Sequence, residues 1–397
     1  MDITIYPGKL FGTMQIIPSK SQAHRFLICA AFADKTTEII CPETNADIDA
    51  TVDCLTALGA KIQRTQTGFE VTPIQTIPEK AVLNCRESGS TLRFLLPIAG
   101  ALGVETRFQM EGRLPNRPLS PLKEEMERMG CKITRPTDTT LLCLGRLIPG
   151  AYSIDGSISS QFISGLMFAL TLLDANCSLN ITGKMESRPY IQLTHEALQH
   201  FGAQINENVF SPSLPLKSPG KLTVEGDWSN GAFFLAANAL GSNISIKGLR
   251  NNSVQGDRKC QEVLSAEGPI ELSAADIPDL IPVLSVVAAA KSGGTFTDIA
   301  RLRLKESDRV ASTIAMLSAF GIKAAADENT LYVTPGFFTG GTIQSHNDHR
   351  IAMASAIAAT IADAPVTILS AECVSKSYPQ FWDVYKALGG NYEQHLR

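Results

Sequence analysis

Two short, distant segments carry the residues that are best suited to chemistry. Pro18 to Arg25 reads PSKSQAHR, and Arg301 to Arg309 reads RLRLKESDR. Each places Lys and Arg beside Ser, Asp or Glu, so each can bind a phosphate or carboxylate while an acid or base stays within reach. A fold that joins them builds one site from two distant parts of the chain. We therefore predict an enzyme that acts on small anionic molecules.

Other polar segments precede apolar stretches that favour helices. They are Arg86–Arg93 (RESGSTLR), Glu111–Pro118 (EGRLPNRP), Asp155–Gln161 (DGSISSQ), Ser187–Tyr190 (SRPY), Ala275–Asp279 (ADIPD), His346–Arg350 (HNDHR) and Ser375–Pro379 (SKSYP). Taken alone, each is equally consistent with a helix N-cap or a solvated loop. Asp279 alone fits a favourable charge at a helix start. His346 and His349 lack a third nearby ligand, so we predict no metal site.

The same segments share an unusual placement of positive charge. Nine cations fall at or just before expected helix starts, namely Lys20, Arg25, Arg93, Arg113, Arg117, Lys305, Arg309, Arg350 and Lys376. The helix dipole disfavours cations there, so a compensating gain is required. Bound anions supply this gain. The negative charge of two ligands that each carry a phosphate and a carboxylate matches the positive charge of the nine cations.

The overall composition and charge limit the classes of protein to which this chain can belong. The net charge of −4 and the pI of about 5.9 argue against a nucleic-acid or membrane-surface protein. Nine scattered cysteines without a CxxC pair predict free thiols in a reducing cytoplasm. No apolar run approaches the roughly 20 residues of a membrane span. The short apolar stretch 26–33 therefore predicts a core helix, not a signal peptide.

A repeated sequence pattern indicates the architecture. An amphipathic helix, a Gly and a β-prone run recur six times, and the Gly residues are Gly59, Gly130, Gly202, Gly268, Gly321 and Gly389. Their spacings are 71, 72, 66, 53 and 68 residues. Each copy fits a helix that ends at a Gly C-cap before a strand. We predict an internally repeated α/β fold, with three repeats per domain and a break near residues 221–230. Very apolar runs at 162–173, 231–240, 280–290 and 351–362 predict buried helices.

Taken in this order, the polar segments resemble the 5-enolpyruvylshikimate-3-phosphate synthase family. The shared features are PSKS…R, G-[ST]-x-x-R, an RP loop, SSQ, PD, KE-[ST]-DR, NDHR and a late Lys before an aromatic-Pro pair, from Lys20 to Pro379. The resemblance implies a two-domain α/β fold of six βαβαββ units, three per domain, with an active-site cleft between the domains. The implied N-terminal domain is 19–225, and the implied C-terminal domain is discontinuous, 1–18 plus 226–397.

The resemblance also implies a reaction. The family transfers the enolpyruvyl group of phosphoenolpyruvate to the 5-hydroxyl of shikimate 3-phosphate and releases phosphate, in chorismate and aromatic amino-acid biosynthesis. Carried over, the residues that bind shikimate 3-phosphate are Lys20, Ser21, Arg25, Ser159, Ser160, Gln161, Ser187, Asp279 and Lys305. Those that bind phosphoenolpyruvate are Lys20, Gly89, Arg117, Gln161, Arg309, Arg350 and Lys376, with Arg93, Arg113, Tyr190 and His349 as neighbours.

Asp279 is the expected base, and Glu306 is the expected acid, assisted by Lys20 or Lys376. The family further implies domain closure, no cofactor, a cytoplasmic location and a monomer.

The sequence differs from the family pattern at two positions, and two alternative functions stay open. Glu87 stands where the family usually has Asn, and Arg301 stands where Asn or Glu is usual. The sister enolpyruvyl transferase that acts on UDP-N-acetylglucosamine typically carries a loop Cys, which the loop 113–120 lacks. A non-catalytic binding protein on the same fold is the other alternative. The retention of Lys20, Asp279 and Glu306 together argues against it.

Overall fold

The computed structural model describes residues 1–395, so the last two residues of the predicted C-terminal domain lie outside it. The strands are β1 (Asp2–Tyr6), β2 (Phe11–Gln15), β3 (Thr37–Ile40), β4 (Lys61–Arg64), β5 (Gly68–Thr72), β6 (Lys80–Asn84), β7 (Glu105–Gln109), β8 (Cys131–Thr137), β9 (Thr140–Gly145), β10 (Ala151–Asp155), β11 (Cys177–Thr182), β12 (Ile205–Asn206), β13 (Val209–Phe210), β14 (Lys221–Thr223), β15 (Asn243–Lys247), β16 (Ile270–Ser273), β17 (Gly294–Thr297), β18 (Ala324–Ala326), β19 (Thr330–Val333), β20 (Gly341–Gln344), β21 (Val366–Leu369) and β22 (Asn391–His395).

The helices alternate with these strands along the chain. They are α1 (Lys20–Ala31), α2 (Ala46–Ala57), α3 (Gly89–Leu102), α4 (Leu122–Arg128), α5 (Ser160–Thr171), α6 (Arg188–His200), α7 (Trp228–Ala239), α8 (Cys260–Ser265), α9 (Ile281–Ala290), α10 (Arg309–Ala319), α11 (His349–Ala359) and α12 (Phe381–Ala387). Short 3-10 turns cover Leu114–Asn116, Gly256–Lys259, Ala300–Leu304 and Ala371–Lys376.

Backbone contacts divide the chain into two units. The N-terminal unit is Pro18–Glu225, and the C-terminal unit is Met1–Ile17 with Gly226–Arg397. Each unit has its own apolar core, because the buried side chains form two separate clusters that follow this division. Each unit is therefore described by itself.

The N-terminal unit contains three four-stranded sheets of one design. Their strand orders are β14-β3-β5-β4, β6-β7-β9-β8 and β10-β11-β13-β12. In each sheet the first pair is parallel and the other two pairs are antiparallel. A parallel pair requires a crossover, and α3 and α5 supply it in the second and third sheets. In the first sheet the strand parallel to β3 is β14, which comes from the end of the unit, and α1 precedes β3. This is the βαβαββ pattern, repeated three times.

The C-terminal unit repeats the design twice in full and once in part. The full sheets are β16-β17-β19-β18 and β20-β21-β1-β22, while β2 and β15 form a parallel two-stranded ribbon. The repeat that contains this ribbon has no closing hairpin, because α8 ends at Ser265 and β16 begins at Ile270. The short 53-residue spacing between Gly268 and Gly321 has the same cause.

Local sequence explains the helix ends and the buried faces. All six glycines of the repeated pattern have a positive φ, from +73° to +109°. Five of them directly follow the C-cap residue of a helix, but Gly268 lies three residues beyond the end of α8, after an extended Ala266. Four helices are buried over most of their length, as their apolar composition predicts: α5, α7, α9 and α11. The prediction of buried apolar helices is confirmed, and that of Gly-terminated helices is confirmed for five copies and wrong for Gly268, because α8 ends early at Ser265.

Among residues 1–395, no helix combines the length and the hydropathy that a membrane-crossing helix requires.

Candidate active site

Several predicted residues of the N-terminal unit lie at helix starts, whereas Arg25 lies inside α1 and Arg117 follows the 3-10 turn Leu114–Asn116. Lys20 is the first residue of α1, Gly89 of α3 and Ser160 of α5. Ser159 caps α5 by accepting a hydrogen bond from the backbone N–H of Gln161. Free backbone N–H groups at such positions favour bound anions, so each start is a suitable place for a phosphate or carboxylate.

One group of contacts joins the start of α3 to the start of α5. Gln161 Nε2 donates to Ser90 Oγ (2.9 Å), and Arg93 Nη1 donates to Gln161 Oε1 (3.1 Å). A Cβ placed on Gly89 would lie 2.6 Å from Arg93 Nη1 and 2.7 Å from Arg117 Nη1. Two guanidinium groups therefore pass directly over the backbone of Gly89, and only a residue without a side chain fits beneath them.

A second group surrounds Arg25. Its guanidinium donates to Thr194 Oγ1 (2.8 Å), to the carbonyl of Ser21 (2.7 Å) and to the carbonyl of Tyr190 (2.8 Å). Burial lowers the pKa of Arg25 to about 10, which still leaves it charged at neutral pH. Ser187, in a left-handed conformation, accepts the Tyr190 N–H and begins α6. Arg25 thus ties α1 to the start of α6.

Lys20 has a partner that the sequence did not reveal. Its Nζ lies 2.9 Å from Asp47 Oδ2, near the start of α2. Directly beneath runs a buried chain of hydroxyls: His24 Nδ1 to Thr51 Oγ1, Thr51 Oγ1 to Thr91 Oγ1, and Thr91 Oγ1 to Ser88 Oγ, each 2.7 Å. We call these four residues the His24 network. It links α1, α2 and α3 below the predicted anion-binding turns.

The predicted residues of the C-terminal unit converge on Asp279, which precedes α9. Asp279 Oδ1 lies 2.8 Å from Arg309 Nη1 and 3.8 Å from Lys305 Nζ, and Oδ2 lies 3.3 Å from Arg350 Nη2. One carboxylate therefore faces three cations. Such an arrangement has positive charge to share with an incoming anion.

The two arginines beside Asp279 differ in their remaining partners. Arg309 is 1% exposed, and its other donors bind Asp348 Oδ2 (3.0 Å) and Glu306 Oε2 (2.6 Å). Arg350 is 3% exposed, yet among residues 1–395 its Nε and Nη1 atoms have no hydrogen-bond partner. Buried donors without partners are costly, so these two N–H groups are suited to receive a ligand.

Burial and neighbouring charges shift the pKa values of Asp279 and Lys305 within this cluster. Burial opposes ionisation of Asp279, but Arg350, Lys305 and Arg309 outweigh it and hold the pKa of Asp279 well below its usual range. Burial lowers the pKa of Lys305 to about 8, opposed by Asp279 and assisted by Arg301. In the absence of substrate Asp279 is therefore ionised and only weakly basic.

Lys376 belongs to a neighbouring turn. Its Nζ donates to the carbonyl of Asn347 (3.0 Å). His346 and Asn347 both have left-handed backbones, with φ of 54° and 56°. Asp348 then caps α11 by accepting from the Arg350 N–H (2.9 Å), and His349 is buried beside it. This turn connects Lys376 with the segment that carries Arg350.

The structure therefore gathers the predicted residues into sets within each unit. In the N-terminal unit the sets are Gly89 with Arg93, Arg117, Gln161 and Ser159, and Arg25 with Ser21, Ser187 and Tyr190. In the C-terminal unit the set is Asp279 with Lys305, Glu306, Arg309 and Arg350. Arg113 is exposed at the start of the 3-10 turn Leu114–Asn116.

Sequence reasoning missed the supporting residues, namely Asp47, the His24 network and Asp348. Asp348 had a local signal, since Asp commonly caps a helix. The partnership of Lys20 with Asp47 spans 27 residues and had none.

The structure shows what surrounds Glu87 and Arg301, the two residues that differ from the family pattern. The carboxyl group of Glu87 lies against Gly112, so close that a Cβ there would overlap it. Glu87 thus connects the turn before α3 with the loop that carries Arg117. Arg301 lies near enough to Lys305 to disfavour its charged form.

Comparisons with known proteins cover almost the whole chain. A family model described as EPSP synthase (3-phosphoshikimate 1-carboxyvinyltransferase) matches residues 5–385. Relatives named 3-phosphoshikimate 1-carboxyvinyltransferase come from Clostridium beijerinckii, 38% identical, and Clostridioides difficile, 37% identical. Each match covers 99% of this chain and 98% of the relative.

Solved structures give the same result for the fold. The structure of EPSP synthase from Acinetobacter baumannii has a TM-score of 0.80 and 22% identity, and the match covers 99% of this chain and 100% of that one. The predicted two-domain α/β fold class is confirmed. With the family match spanning both units and all the segments that carry the predicted site residues, the chain belongs to the EPSP synthase family.

Proposed function

We propose that this protein transfers the enolpyruvyl group of phosphoenolpyruvate to the 5-hydroxyl of shikimate 3-phosphate and releases phosphate. The observation that carries the proposal is the set around Asp279, in which three cations meet one carboxylate and Arg350 has two buried donors without partners among residues 1–395. This set suits a reaction between two anions that includes a proton transfer.

The residues that we propose to bind the two substrates are those that the family resemblance implies. Shikimate 3-phosphate is bound by Lys20, Ser21, Arg25, Ser159, Ser160, Gln161, Ser187, Asp279 and Lys305. Phosphoenolpyruvate is bound by Lys20, Gly89, Arg117, Gln161, Arg309, Arg350 and Lys376. The passage of two guanidinium groups over Gly89 and the unpartnered donors of Arg350 support this assignment, because both present positive charge without a side chain in the way.

The chemistry consists of an addition and an elimination. The 5-hydroxyl oxygen bonds to C2 of phosphoenolpyruvate and gives up its proton, while the C3 methylene gains a proton and becomes a methyl group. The tetrahedral intermediate then loses a methyl proton as the bond from C2 to the phosphate oxygen breaks. No electron is transferred to or from an outside group, so the reaction requires only acids, bases and anion-binding groups.

Asp279 acts as the base in this scheme once the substrate anions bind the three cations that surround it. In the substrate-free state Arg309, Lys305 and Arg350 stabilise its charge and keep its pKa low. When substrate phosphate and carboxylate groups bind these cations, the stabilisation of the Asp279 anion weakens and its pKa rises. Substrate binding itself therefore makes Asp279 more basic.

Glu306 acts as the acid, with Lys20 or Lys376 assisting. Its Oε2 lies 2.6 Å from Arg309 Nη2, a contact that favours the ionised carboxylate. An anion that draws Arg309 away weakens this effect and allows Glu306 to hold a proton. The same binding event thus prepares both the base and the acid. We also propose a cytoplasmic location, which nine buried free thiols support.

The test is phosphate release from phosphoenolpyruvate with one of two co-substrates. We expect release with shikimate 3-phosphate and none with UDP-N-acetylglucosamine. Release with the sugar nucleotide alone would assign the chain to the sister transferase. Binding of both ligands without release, by folded protein, would support the non-catalytic alternative.

A further inference from the structure

Two turns that lead to predicted phosphoenolpyruvate-binding residues lie side by side in the C-terminal unit. One turn, residues 345–348, follows β20 and leads to Arg350 on α11. The other begins at Ser370, follows β21 and leads to Lys376. β20 and β21 are parallel neighbours whose last residues are paired. The next residue of each chain segment, Ser345 or Ser370, therefore lies beside the other at the carboxyl edge of the sheet.

Both turns hold residues with side chains in the left-handed region. The backbone φ is 54° at His346, 56° at Asn347 and 55° at Ser370. Such conformations are unfavourable for residues other than Gly, and they persist only where neighbouring contacts hold them. They concentrate at functional sites for the same reason. The contacts that hold these two turns therefore bear on how the nearby cations are placed.

The Ser345 hydroxyl joins the two turns. Ser345 is fully buried, and its Oγ donates to the Ser370 carbonyl (3.2 Å) and accepts the Asn347 N–H (3.3 Å). The Asn347 carbonyl accepts in turn from Lys376 Nζ (3.0 Å). A closed path of bonds thus runs from Ser345 through Asn347 to Lys376, and back along the 3-10 turn Ala371–Lys376 to Ser370.

The Ser345 backbone also leads to Arg350. Its carbonyl accepts the Asp348 N–H (3.0 Å), which closes the tight turn around the two left-handed residues. Asp348 Oδ1 then accepts the Arg350 N–H (2.9 Å) at the start of α11. Ser345 is therefore bonded to both segments, through its carbonyl toward Arg350 and through its hydroxyl toward Lys376.

The turn at Ser370 is fixed a second time by β1. Asp2 Oδ1 accepts the Ser370 N–H (2.9 Å), and the Met1 carbonyl accepts the Ala371 N–H (2.8 Å). Ser370 thus has its N–H bonded to Asp2 and its carbonyl bonded to Ser345. Both peptide groups that flank its left-handed backbone are held, so the loss of either bond should loosen the turn.

We propose that Ser345 is a positioning residue whose hydroxyl sets Lys376 relative to Arg350, so that both cations bind the same anion. Without the hydroxyl, the Asn347 N–H and the Ser370 carbonyl lose this partner and the left-handed turns relax. The carbonyl that holds Lys376 then moves. The inference rests on the proposed function in naming phosphoenolpyruvate as the anion.

The direct test is hydrogen exchange of the substrate-free, full-length protein, because it needs no assumption about the reaction. In Ser345→Ala we expect the amides of Asn347 and of residues 370–377 to exchange severalfold faster than in wild type. Amides of β17 are the internal reference and should not change. Unchanged exchange in residues 370–377 of the folded variant would overturn the proposal, because the two turns would then be independent.

Ser355→Ala is the matched control. The Ser355 hydroxyl is equally buried and donates to the Ile351 carbonyl (2.8 Å) within α11. Exchange at both turns should match wild type in this variant. Faster exchange there would mean that the loss of any buried hydroxyl in this region loosens the turns, and it would contradict a specific role for Ser345.

Steady-state kinetics separates positioning from a merely structural role. We expect Ser345→Ala to raise the KM for phosphoenolpyruvate by about tenfold and to leave the KM for shikimate 3-phosphate within about twofold, because Lys376 and Arg350 are assigned to phosphoenolpyruvate. General destabilisation would lower the unfolding temperature without this difference. Equal changes in the two KM values, or no change, would contradict the proposal. Faster exchange at both turns without any phosphate release would refute the proposed function but support the coupling through Ser345.

Asp2→Ala keeps the proposal testable if Ser345→Ala does not fold. The Ser370 N–H loses its carboxylate acceptor in this variant, so exchange in residues 370–377 and the KM for phosphoenolpyruvate should both rise, less than in Ser345→Ala. Asp2→Asn keeps an acceptor oxygen and should stay near wild type. If Asp2→Ala and Asp2→Asn gave the same exchange and the same KM, the result would count against the proposal.

Discussion

At the scale of single residues, the site is governed by how carboxylates and cations are paired. Asp279 is shared among three cations, and Arg309 among three carboxylates. In a buried cluster of this kind, one added or removed charge changes the pKa of every neighbour. The substrate's own anions are therefore part of the acid–base machinery in our account, since they compete for the cations that otherwise hold Asp279 ionised.

Asp279→Asn should lower kcat by about 10²- to 10⁴-fold, because the amide cannot accept the hydroxyl proton. The assay is phosphate release at saturating substrates, with thermal unfolding to verify the fold. Asp276→Asn is the matched control, three residues earlier in the same turn, and should keep kcat near the wild-type value. Wild-type kcat in Asp279→Asn would exclude Asp279 as the base.

Gly89→Ala should raise the KM for phosphoenolpyruvate by about tenfold or more while the protein remains folded. The new methyl group would meet Arg93 Nη1 and Arg117 Nη1 at 2.6 and 2.7 Å, so both flexible side-chain ends must move. Gly8→Ala is the control, since a Cβ on Gly8 meets nothing within 4 Å. An unchanged KM in Gly89→Ala would show that this turn does not hold the ligand.

At the scale of elements, helix starts present the anion-binding groups and a buried network fixes their spacing. The His24 network joins α1, α2 and α3 by three hydrogen bonds of 2.7 Å. α2 and α3 also have side-chain caps of their own, Asn45 and Ser88, and the network adds contacts between the helices. Thr51→Val should remove two of these bonds and lower the free energy of unfolding by about 1–3 kcal/mol.

The His24 network should also make stability depend on pH. Burial, with Lys20 and Arg25, holds the pKa of His24 well below the ordinary 6.5. Below about pH 6.5 the unfolded chain binds a proton that the folded chain does not, so stability falls as the pH falls. Urea unfolding of wild type and His24→Asn at several pH values measures this dependence. A wild-type slope equal to that of the variant would refute the explanation.

The repeat that lacks a closing hairpin should protect its backbone amides less from hydrogen exchange than the complete repeats do. The ribbon of β2 and β15 has two strands and largely exposed side chains on β2, whereas β1 lies between β21 and β22. Amide hydrogens of the ribbon should exchange faster with solvent than those of β1, because fewer buried contacts oppose local opening. Equal protection in a hydrogen-exchange experiment would contradict this.

Much of the element-level description could be predicted from the sequence. The glycines at Gly59, Gly130 and their repeats indicated helix ends, because the left-handed residue after a helix is usually Gly. The 53-residue spacing already carried the signal of the missing hairpin. The spacing alone did not show which strands were absent, because helix and strand lengths both contribute to it.

At the scale of the whole molecule, a slightly acidic chain concentrates positive charge where two anionic substrates would bind. The net charge is −4, yet Lys305, Arg309 and Arg350 meet at one carboxylate. Local sequence could identify these cations, because each sits in a recognisable segment. It could not identify Asp47 as the partner of Lys20, because pairing across many residues arises only on folding. The predictions of a monomer and of the two domain ranges stay open to experiment.

The measurement that tests the central claim most directly is product analysis in heavy water. Protein is incubated with phosphoenolpyruvate and shikimate 3-phosphate in D₂O, and the products are examined by NMR and mass spectrometry. We expect equal amounts of phosphate and of the 5-enolpyruvyl ether, with deuterium in the C3 methylene from the transient methyl group. An ether without deuterium would contradict the addition–elimination scheme. Absence of the ether, from folded protein, would contradict the proposed function itself.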